Sequence, residues 1–202
     1  MKDQKYYALL GKINELEQRV SQLEDDIFKS NEKEEANMTK LNKNQLIQQV
    51  KSVIESKLLD DTYEVKKAIP KNGEGSGLFL NNKNNPDNSK KVMLKQSKDY
   101  SKQYNFIDEY KYSGWFVVSN DEINMYDAFI FVVFDTHNNS HYFIFDHEEM
   151  LDVLKSKNLD NNGRYHFYLA EDHNSQYFDH REGGLLLPHH VNQWSYILNL
   201  MS

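Results

Sequence analysis

The chain has 202 residues, of which 39% are hydrophobic and 13% aromatic, and its net charge is −7. This composition is sufficient for the core of one domain and excludes a wholly disordered protein. The absence of cysteine excludes disulfides, thiolate nucleophiles and thiolate zinc sites. No apolar run reaches the roughly 18 residues of a membrane span, and the N-terminus has no apolar signal segment. We therefore expect a cytoplasmic protein without membrane association.

The charge is distributed unevenly along the chain. Residues 62–112 carry ten basic and six acidic groups, a net of +4, whereas residues 113–202 carry four and thirteen, a net of −9. A lysine-rich segment of this kind is either a solvated loop region or a surface that faces phosphate groups. For the second case we predict a nucleic-acid-binding surface, the lysine patch, made of Lys83, Lys90, Lys91, Lys95, Lys98 and Lys102.

Apolar residues between positions 6 and 27 recur at alternating spacings of three and four, which is the pattern of a coiled coil. β-branched residues at the a positions and leucine at the d positions favour a parallel two-stranded coil, and an intramolecular helix is the alternative. Lys12 and Glu17 occupy the g and e positions that form ion pairs between two such helices. We predict that residues 1–36 are a homodimerisation helix with the contact residues Leu9, Ile13, Leu16, Val20, Leu23 and Ile27.

Residues 37–202 are predicted to form one α+β domain, a mixed β-sheet with flanking helices. Its first helix spans residues 42–59, where six apolar side chains share one face. Runs typical of strands follow at 62–69, 77–80 and 91–96, separated by loops rich in glycine, asparagine and proline.

The strongest strand signal is the apolar run Ala128–Phe134, which predicts a central strand buried on both faces. Tyr142–Phe145 is predicted to pair with it across a turn. Asp146 is predicted to cap a helix over residues 147–156. The remaining predicted elements are strands at 115–118 and 165–169 and a closing helix at 191–200.

Two patterns that would suggest catalysis fail on their spacing. Gly73, Gly75 and Gly77 do not match a dinucleotide-binding fingerprint, and a strand rather than a helix follows them. The eight histidines all lie between His137 and His190, and none has a zinc-binding spacing. We interpret the glycines as a flexible loop and the histidines as scattered, while Asp179-His180 and His189-His190 join a site only if the fold gathers them.

Val92-Met93-Leu94-Lys95-Gln96-Ser97 resembles the core strand of the PD-(D/E)XK nuclease superfamily, which reads "IQVK" followed by serine in its small bacterial branch. The strands at 129–133 and 142–144 resemble the later strands of that branch, and Asn192-Gln193-Trp194 resembles its terminal tryptophan helix. The resemblance extends from Tyr63 to Leu198 and implies a restriction-endonuclease-like fold.

The chemistry of that family needs two carboxylates on magnesium and a lysine near the attacking water. The resemblance implies that Lys95 is the lysine, and it leaves Asp87 and Glu64 as the candidate carboxylates. Met93 stands two residues before the lysine, where the family has an acid or glutamine, and a thioether does not bind magnesium usefully. This departure favours a site that has lost its activity.

The sequence thus predicts a dimeric, nuclease-like protein that associates with nucleic acid and cleaves weakly or not at all. Abundant asparagine and lysine are typical of proteins from AT-rich bacterial or phage genomes. This origin suggests a role in phage defence or counter-defence. The first alternative is an acidic inhibitor, phage- or plasmid-borne, that binds a basic protein partner such as a nucleic-acid enzyme. Its contact residues would be Asp121, Glu122, Asp146, Glu148, Glu149, Glu171 and Asp172. The second alternative is an active magnesium-dependent nuclease.

Overall fold

The computed structural model describes residues 42–58, 62–68, 77–104 and 108–201, together with Lys12, Leu16, Arg19, Val20 and Leu23. The larger of its two units comprises Leu41–Leu159 and Gly163–Ser202, and is the subject of the following paragraphs. No described helix is long and apolar enough to cross a membrane. The predicted domain boundary between residues 36 and 37 stays a prediction, and Leu9, Ile13 and Ile27 lie outside the described residues.

The helices of this unit are α1 (Lys43–Lys57), α2 (Asn120–Met125), α3 (His147–Leu154) and α4 (Ser195–Asn199). Its strands are β1 (Tyr63–Lys67), β2 (Gly77–Asn82), β3 (Lys90–Lys98), β4 (Tyr110–Ser119), β5 (Ala128–Phe134), β6 (Ser140–Asp146), β7 (Arg164–Asp172), β8 (Tyr177–Asp179) and β9 (Leu185–Leu186). Two short 3-10 helices lie at Pro86–Asn88 and Arg181–Gly183.

The first helix forms where the apolar pattern predicts it. The side chain of Asn42 accepts a hydrogen bond from the Gln45 backbone N–H, and the Gln45 side chain accepts one from the Asn42 N–H. This capping box satisfies two N–H groups that the start of a helix leaves without partners. The buried face of α1 consists of Leu46, Ile47, Val50 and Ile54.

The predicted mixed sheet has five strands in the order β1-β2-β3-β5-β6. The first three strands form an antiparallel meander, β5 pairs with β3 in parallel, and β6 pairs with β5 antiparallel. All seven residues of β5 are buried, which confirms the prediction of a central strand covered on both faces. The predicted pairing of Tyr142–Phe145 with that strand is also confirmed.

The prediction of a single sheet is wrong, because β4, β7, β8 and β9 form a separate antiparallel sheet in that order. Residues 165–169, which lie in β7, are therefore not the last strand, since β8 and β9 follow in the same sheet. The closing helix is shorter than predicted, since Val191 instead forms a bridge with Phe143 of β6. The sequence of β4 does not show which face of the strand is buried, because Trp115–Val118 is apolar at every position and has no alternation of polar and apolar residues.

The five-stranded sheet separates two hydrophobic cores. Side chains alternate between the faces of a strand, so Ile130 and Val132 pack toward α1 and α4. Phe129 and Phe131 pack on the other side, against the antiparallel sheet and the buried residues of α2 and α3. The unit is therefore α+β, with α1 and α4 on one face of the mixed sheet and the antiparallel sheet together with α2 and α3 on the other.

Candidate functional site

Lys95, the lysine to which the resemblance assigns a catalytic role, lies in β3 at the centre of the mixed sheet. Its Nζ atom donates to the Val117 carbonyl at 2.5 Å and lies 2.9 and 3.1 Å from the two carboxylate oxygens of Glu122. Burial lowers the pKa of Lys95, and the nearby Glu122 carboxylate opposes that shift. The ammonium group is therefore engaged in a half-buried ion pair.

Glu122 is itself held in place by the start of α2. The Ser119 N–H donates to Glu122 Oε2 at 2.9 Å, and the Glu122 N–H donates to Ser119 Oγ at 3.1 Å. This is a capping box, in which the carboxylate satisfies the backbone at the start of the helix. From the sequence, Glu122 is expected on an acidic docking surface, although the spacing Ser119-x-x-Glu122 is the signature of a capping box.

The predicted carboxylates lie far from Lys95. Glu64 aligns with Asn81 of β2, whose neighbour Leu80 aligns with Lys90 at the start of β3. Lys95 is therefore about 20 Å further along the sheet, at about 3.3 Å per residue, and two strands away. Asp87 is exposed in the 3-10 helix that precedes β3. The structure does not bring Asp87 or Glu64 to Lys95, and the three do not form one site.

Met93, two residues before Lys95, stands where the resemblance implies an acid or glutamine, and it offers no metal ligand. Met93 is fully buried in the core between the two sheets. Among residues 42–58, 62–68, 77–104 and 108–201, no group of three or more histidine, aspartate or glutamate side chains is placed to hold a metal ion. Nothing in these ranges therefore identifies a magnesium site.

The lysine patch is divided between the two ends of β3. Lys83 is exposed just after β2, and Lys90 and Lys91 begin β3, where the Lys90 ammonium lies 4.0 Å from the Asp127 carboxylate. Lys98 and Lys102 lie at the other end of this nine-residue strand, about 27 Å away. Since Lys95 between them is neutralised by its ion pair, the six lysines do not form a continuous surface.

Several of the carboxylates that were expected to face a basic partner have partners within the domain. Glu171 is 9% exposed and lies 2.6 Å from the Lys111 ammonium. Asp146 accepts from the Glu149 N–H at 2.9 Å and caps α3, as predicted. Together with Glu122 these contacts give structural roles to three of the seven acidic residues and weaken the case for an acidic docking surface.

The histidines do not form a common site in the described part of the chain. Burial and the nearby Lys157 ammonium lower the pKa of His180 to about 4, so that its ring is neutral at pH 7. Its sequence neighbour Asp179 is buried and contacts Lys157 instead. Four of the histidines contact separate residues: His141 contacts Asp135, His166 contacts Trp115, His180 contacts Ser113, and His190 contacts Glu149.

An ion-pair cluster that the sequence did not predict lies under the loop after β8. The Lys157 Nζ atom lies 2.6 Å from Asp179 and 3.0 Å from Glu182, and the side chains of Lys157 and Asp179 are only 2% and 1% exposed. Glu182, Gly183 and Gly184 all have positive φ angles, so the loop is folded tightly over the cluster. Arg181 Nε lies 3.7 Å from Glu182, so two cations face two carboxylates. The cluster is therefore best explained as an ion-pair network that holds this loop in place.

Aromatic rings pack together on the face of the antiparallel sheet that points away from the core between the sheets, where Trp115 and His166 are themselves buried. Trp115 and Tyr168 are paired across β4 and β7, with ring centroids 6.1 Å apart. Trp115 and Tyr168 lie on the opposite face of the sheet from their sequence neighbours Phe116 and Phe167, which are buried in the core between the sheets. We call this cluster the aromatic face, and it consists of Tyr100, Tyr104, Tyr110, Trp115, Tyr168 and Phe178. The His180 ring joins its two parts, since it lies 4.6 Å from the Tyr110 ring and 5.3 Å from the Tyr168 ring.

Comparison with known proteins assigns no class to this fold and site. No family model matches the chain, and neither the curated proteins nor the solved structures contain a significant match. The function is therefore inferred from the site itself.

Proposed function

We propose that this protein is a dimeric, nuclease-like protein that associates with nucleic acid and cleaves it weakly or not at all, in phage defence or counter-defence. The mixed sheet supports a restriction-endonuclease-like assignment, since α1 packs on a sheet whose antiparallel meander β1-β2-β3 is extended by a parallel strand. The stretch that carries the resemblance is β3, which includes Lys95.

The ion pair between Lys95 and Glu122 carries the proposal of weak cleavage. A metal-dependent nuclease needs carboxylates that hold magnesium and a lysine that is available to the attacking water. Here the lysine is bound at 2.9 Å by a carboxylate that is itself committed to capping α2. The buried thioether of Met93 adds no oxygen ligand. This arrangement favours binding without efficient chemistry.

Association with nucleic acid is supported by the far end of β3. Lys102 is exposed, and the Lys98 ammonium lies 5.1 Å from the ring centroid of Tyr100. Single-stranded nucleic acid binds surfaces that combine lysines with aromatic rings, because the lysines contact its phosphates and the rings stack with its bases. Two such lysines offset the overall negative charge only locally, so we expect moderate, salt-sensitive affinity.

The proposal is tested by incubating the purified full chain with plasmid and with single-stranded DNA, in magnesium, in manganese and in EDTA. We expect no cutting above the EDTA control, and retention of DNA that weakens as salt increases. Replacing Lys98 and Lys102 with glutamate should weaken retention. The matched control replaces the exposed lysines of α1, Lys43→Glu with Lys57→Glu, and should retain DNA like the parent.

Two results would contradict the proposal. Metal-dependent cutting that Lys95→Ala abolishes would show an active nuclease with its carboxylates elsewhere in the chain. If the protein neither cuts nor binds DNA, the proposed nucleic-acid function is wrong. That result would favour a basic protein partner that binds the acidic region.

A further inference from the structure

The C-terminal segment of residues 187–201, called the strap below, runs along the edge of the mixed sheet. Strand β6 is the last strand of that sheet in its spatial order. The Ile144 N–H donates to the His190 carbonyl at 2.8 Å, and the Asn192 N–H donates to the Tyr142 carbonyl at 2.8 Å. The strap therefore gives partners to backbone groups that a sheet edge otherwise presents to other chains.

Apolar side chains anchor the strap on both sides of the mixed sheet. Leu187 is buried in the core between the two sheets, whereas Trp194 and Ile197 belong to the core under α1. The Trp194 ring lies 5.2 Å from that of Tyr142 in β6, measured between centroids. Between these anchors the strap passes around the sheet edge, and the buried polar side chain of this crossing is His190.

The His190 ring is 8% exposed and has one nitrogen without a hydrogen-bond partner. Its Nε2 atom lies 3.3 Å from Glu149 Oε2, and the ring lies 4.6 Å from that of Phe145. Because a carboxylate only accepts, Nε2 carries the proton of the neutral ring and the buried Nδ1 atom is an acceptor without a donor. Protonation would turn Nδ1 into a buried donor without an acceptor, which is costly.

We propose that the strap is an acid-released cover of the β6 edge, which opens when His190 is protonated. This device goes beyond the proposed association with nucleic acid and does not depend on it. It stands on the position of His190, whose backbone carbonyl holds the sheet edge while its side chain is buried with an unpaired nitrogen.

The groups that face His190 act on its proton in opposite directions. Burial lowers the pKa of His190 below its ordinary value of 6.5, the Glu149 carboxylate of α3 opposes that shift, and the adjacent His189 adds to it. From α4, the Tyr196 ring lies 6.0 Å from that of His190. Burial and the carboxylates of Glu149 and Asp146 raise the pKa of the Tyr196 hydroxyl, which is therefore uncharged near pH 7. Since burial is the largest effect on His190, the docked ring stays neutral where a solvated ring is protonated.

The lowered pKa makes the closed strap less stable in acid. An open strap exposes His190, which then binds a proton that the closed strap excludes. The closed state therefore has its full stability above pH 6.5 and loses it as the pH falls from 6.5 toward the lowered pKa. With one proton bound per opening, the opening equilibrium rises by up to about tenfold for each pH unit in this interval. Opening leaves the Ile144 N–H and the Tyr142 carbonyl as an unpaired strand edge.

The test is amide hydrogen exchange of the full chain, resolved by NMR and corrected for the pH dependence of exchange in an unfolded peptide. We expect the protection of the Ile144 and Asn192 amides to fall by up to about tenfold per pH unit below pH 6.5. The reference amide is Ile130 in the central strand β5, which should keep its protection because local opening of the strap leaves that strand paired with β3. Titration of the His190 ring resonances in the same protein should give a pKa below 6.5.

Two variants assign the response to one imidazole. His190→Gln keeps an amide donor toward Glu149 and cannot titrate, so its strap protection should no longer depend on pH. His189→Gln changes the exposed neighbouring histidine and should respond to pH like the parent. If His190→Gln does not fold, the ring titration of the parent decides. The proposal is overturned by a His190 pKa at or above 6.5, by strap protection that is constant below pH 6.5, or by an equal loss at Ile130. A response that His189→Gln removes and His190→Gln keeps also overturns it.

Discussion

The Lys157–Asp179 ion pair is the interaction whose loss we expect to cost the most at the scale of a single residue. Both side chains are almost fully buried, and they lie 2.6 Å apart. Lys157→Met would leave the Asp179 carboxylate buried without its cation, so we predict a loss of about 3–5 kcal/mol in the free energy of unfolding at pH 7. Urea denaturation measures it. Lys155→Met, at an exposed lysine, should change stability by less than about 0.5 kcal/mol.

The same variant should show a defined pH dependence. Burial raises the pKa of Asp179 above its ordinary value, and Lys157 opposes that shift. Without Lys157 the folded-state pKa rises further, so the folded protein binds a proton that the unfolded chain has already released. Stability then falls as the pH rises through this interval, and the loss caused by Lys157→Met should be smaller at pH 5 than at pH 8. An equal loss at both pH values would contradict a buried, unpaired carboxylate.

At the scale of an element, the two sheets pack closely because β4 has a glycine where it crosses β5. A Cβ atom on Gly114 would lie 2.5 Å from Val133 Cγ2. Gly114→Ala must therefore push the sheets apart or displace Val133, and we predict a loss of about 1–3 kcal/mol. The measurement is a double-mutant cycle with Val133→Ala, which makes room for the added methyl group. The two substitutions should compensate each other, and purely additive losses would show that the contact does not limit the packing.

The elements differ in how far the sequence determines them. The run Ala128–Phe134 identifies its strand and burial, because seven consecutive apolar residues leave few alternatives. The capping boxes at Asn42 and Ser119 are equally local in sequence. The membership of β4 in a second sheet is not local, since its pairing with β7 joins residues about fifty apart, from Ser119↔Arg164 to Tyr110↔Asp172.

The candidate site was predictable only in part, for the same reason. Lys95 was identified from its strand, but its partner Glu122 lies 27 residues away and follows from the tertiary fold. The separation of Asp87 and Glu64 from Lys95 depends on strand register, which the sequence leaves open. The aromatic face was missed because Tyr168 alternates with Phe167 and Leu169, so both faces of β7 carry apolar side chains.

At the scale of the whole molecule, the described N-terminal residues support association with a second copy. Leu16, Val20 and Leu23 are helical and 60%, 52% and 58% exposed. Their spacing is that of d, a and d positions, so an identical parallel helix would cover all three. In the heptad pattern of the sequence, Arg19 and Glu24 occupy g and e positions, which attract each other between parallel helices. We propose that these side chains form a homodimer contact.

Dimerisation should change binding to long strands more than binding to short ones. We expect light scattering to find a dimer at micromolar concentration, and Leu16→Glu with Leu23→Glu to give a monomer, because glutamates at d positions would be buried against each other. Gln18→Glu with Gln22→Glu adds the same charge on the opposite helix face and should leave a dimer. A strand long enough to reach both domains gains effective concentration from the dimer, so the monomeric variant should lose affinity for it and keep its affinity for a short oligonucleotide. Equal losses on both strands would instead place the N-terminal helix in the binding surface itself, and a parent that is already monomeric would overturn the dimer.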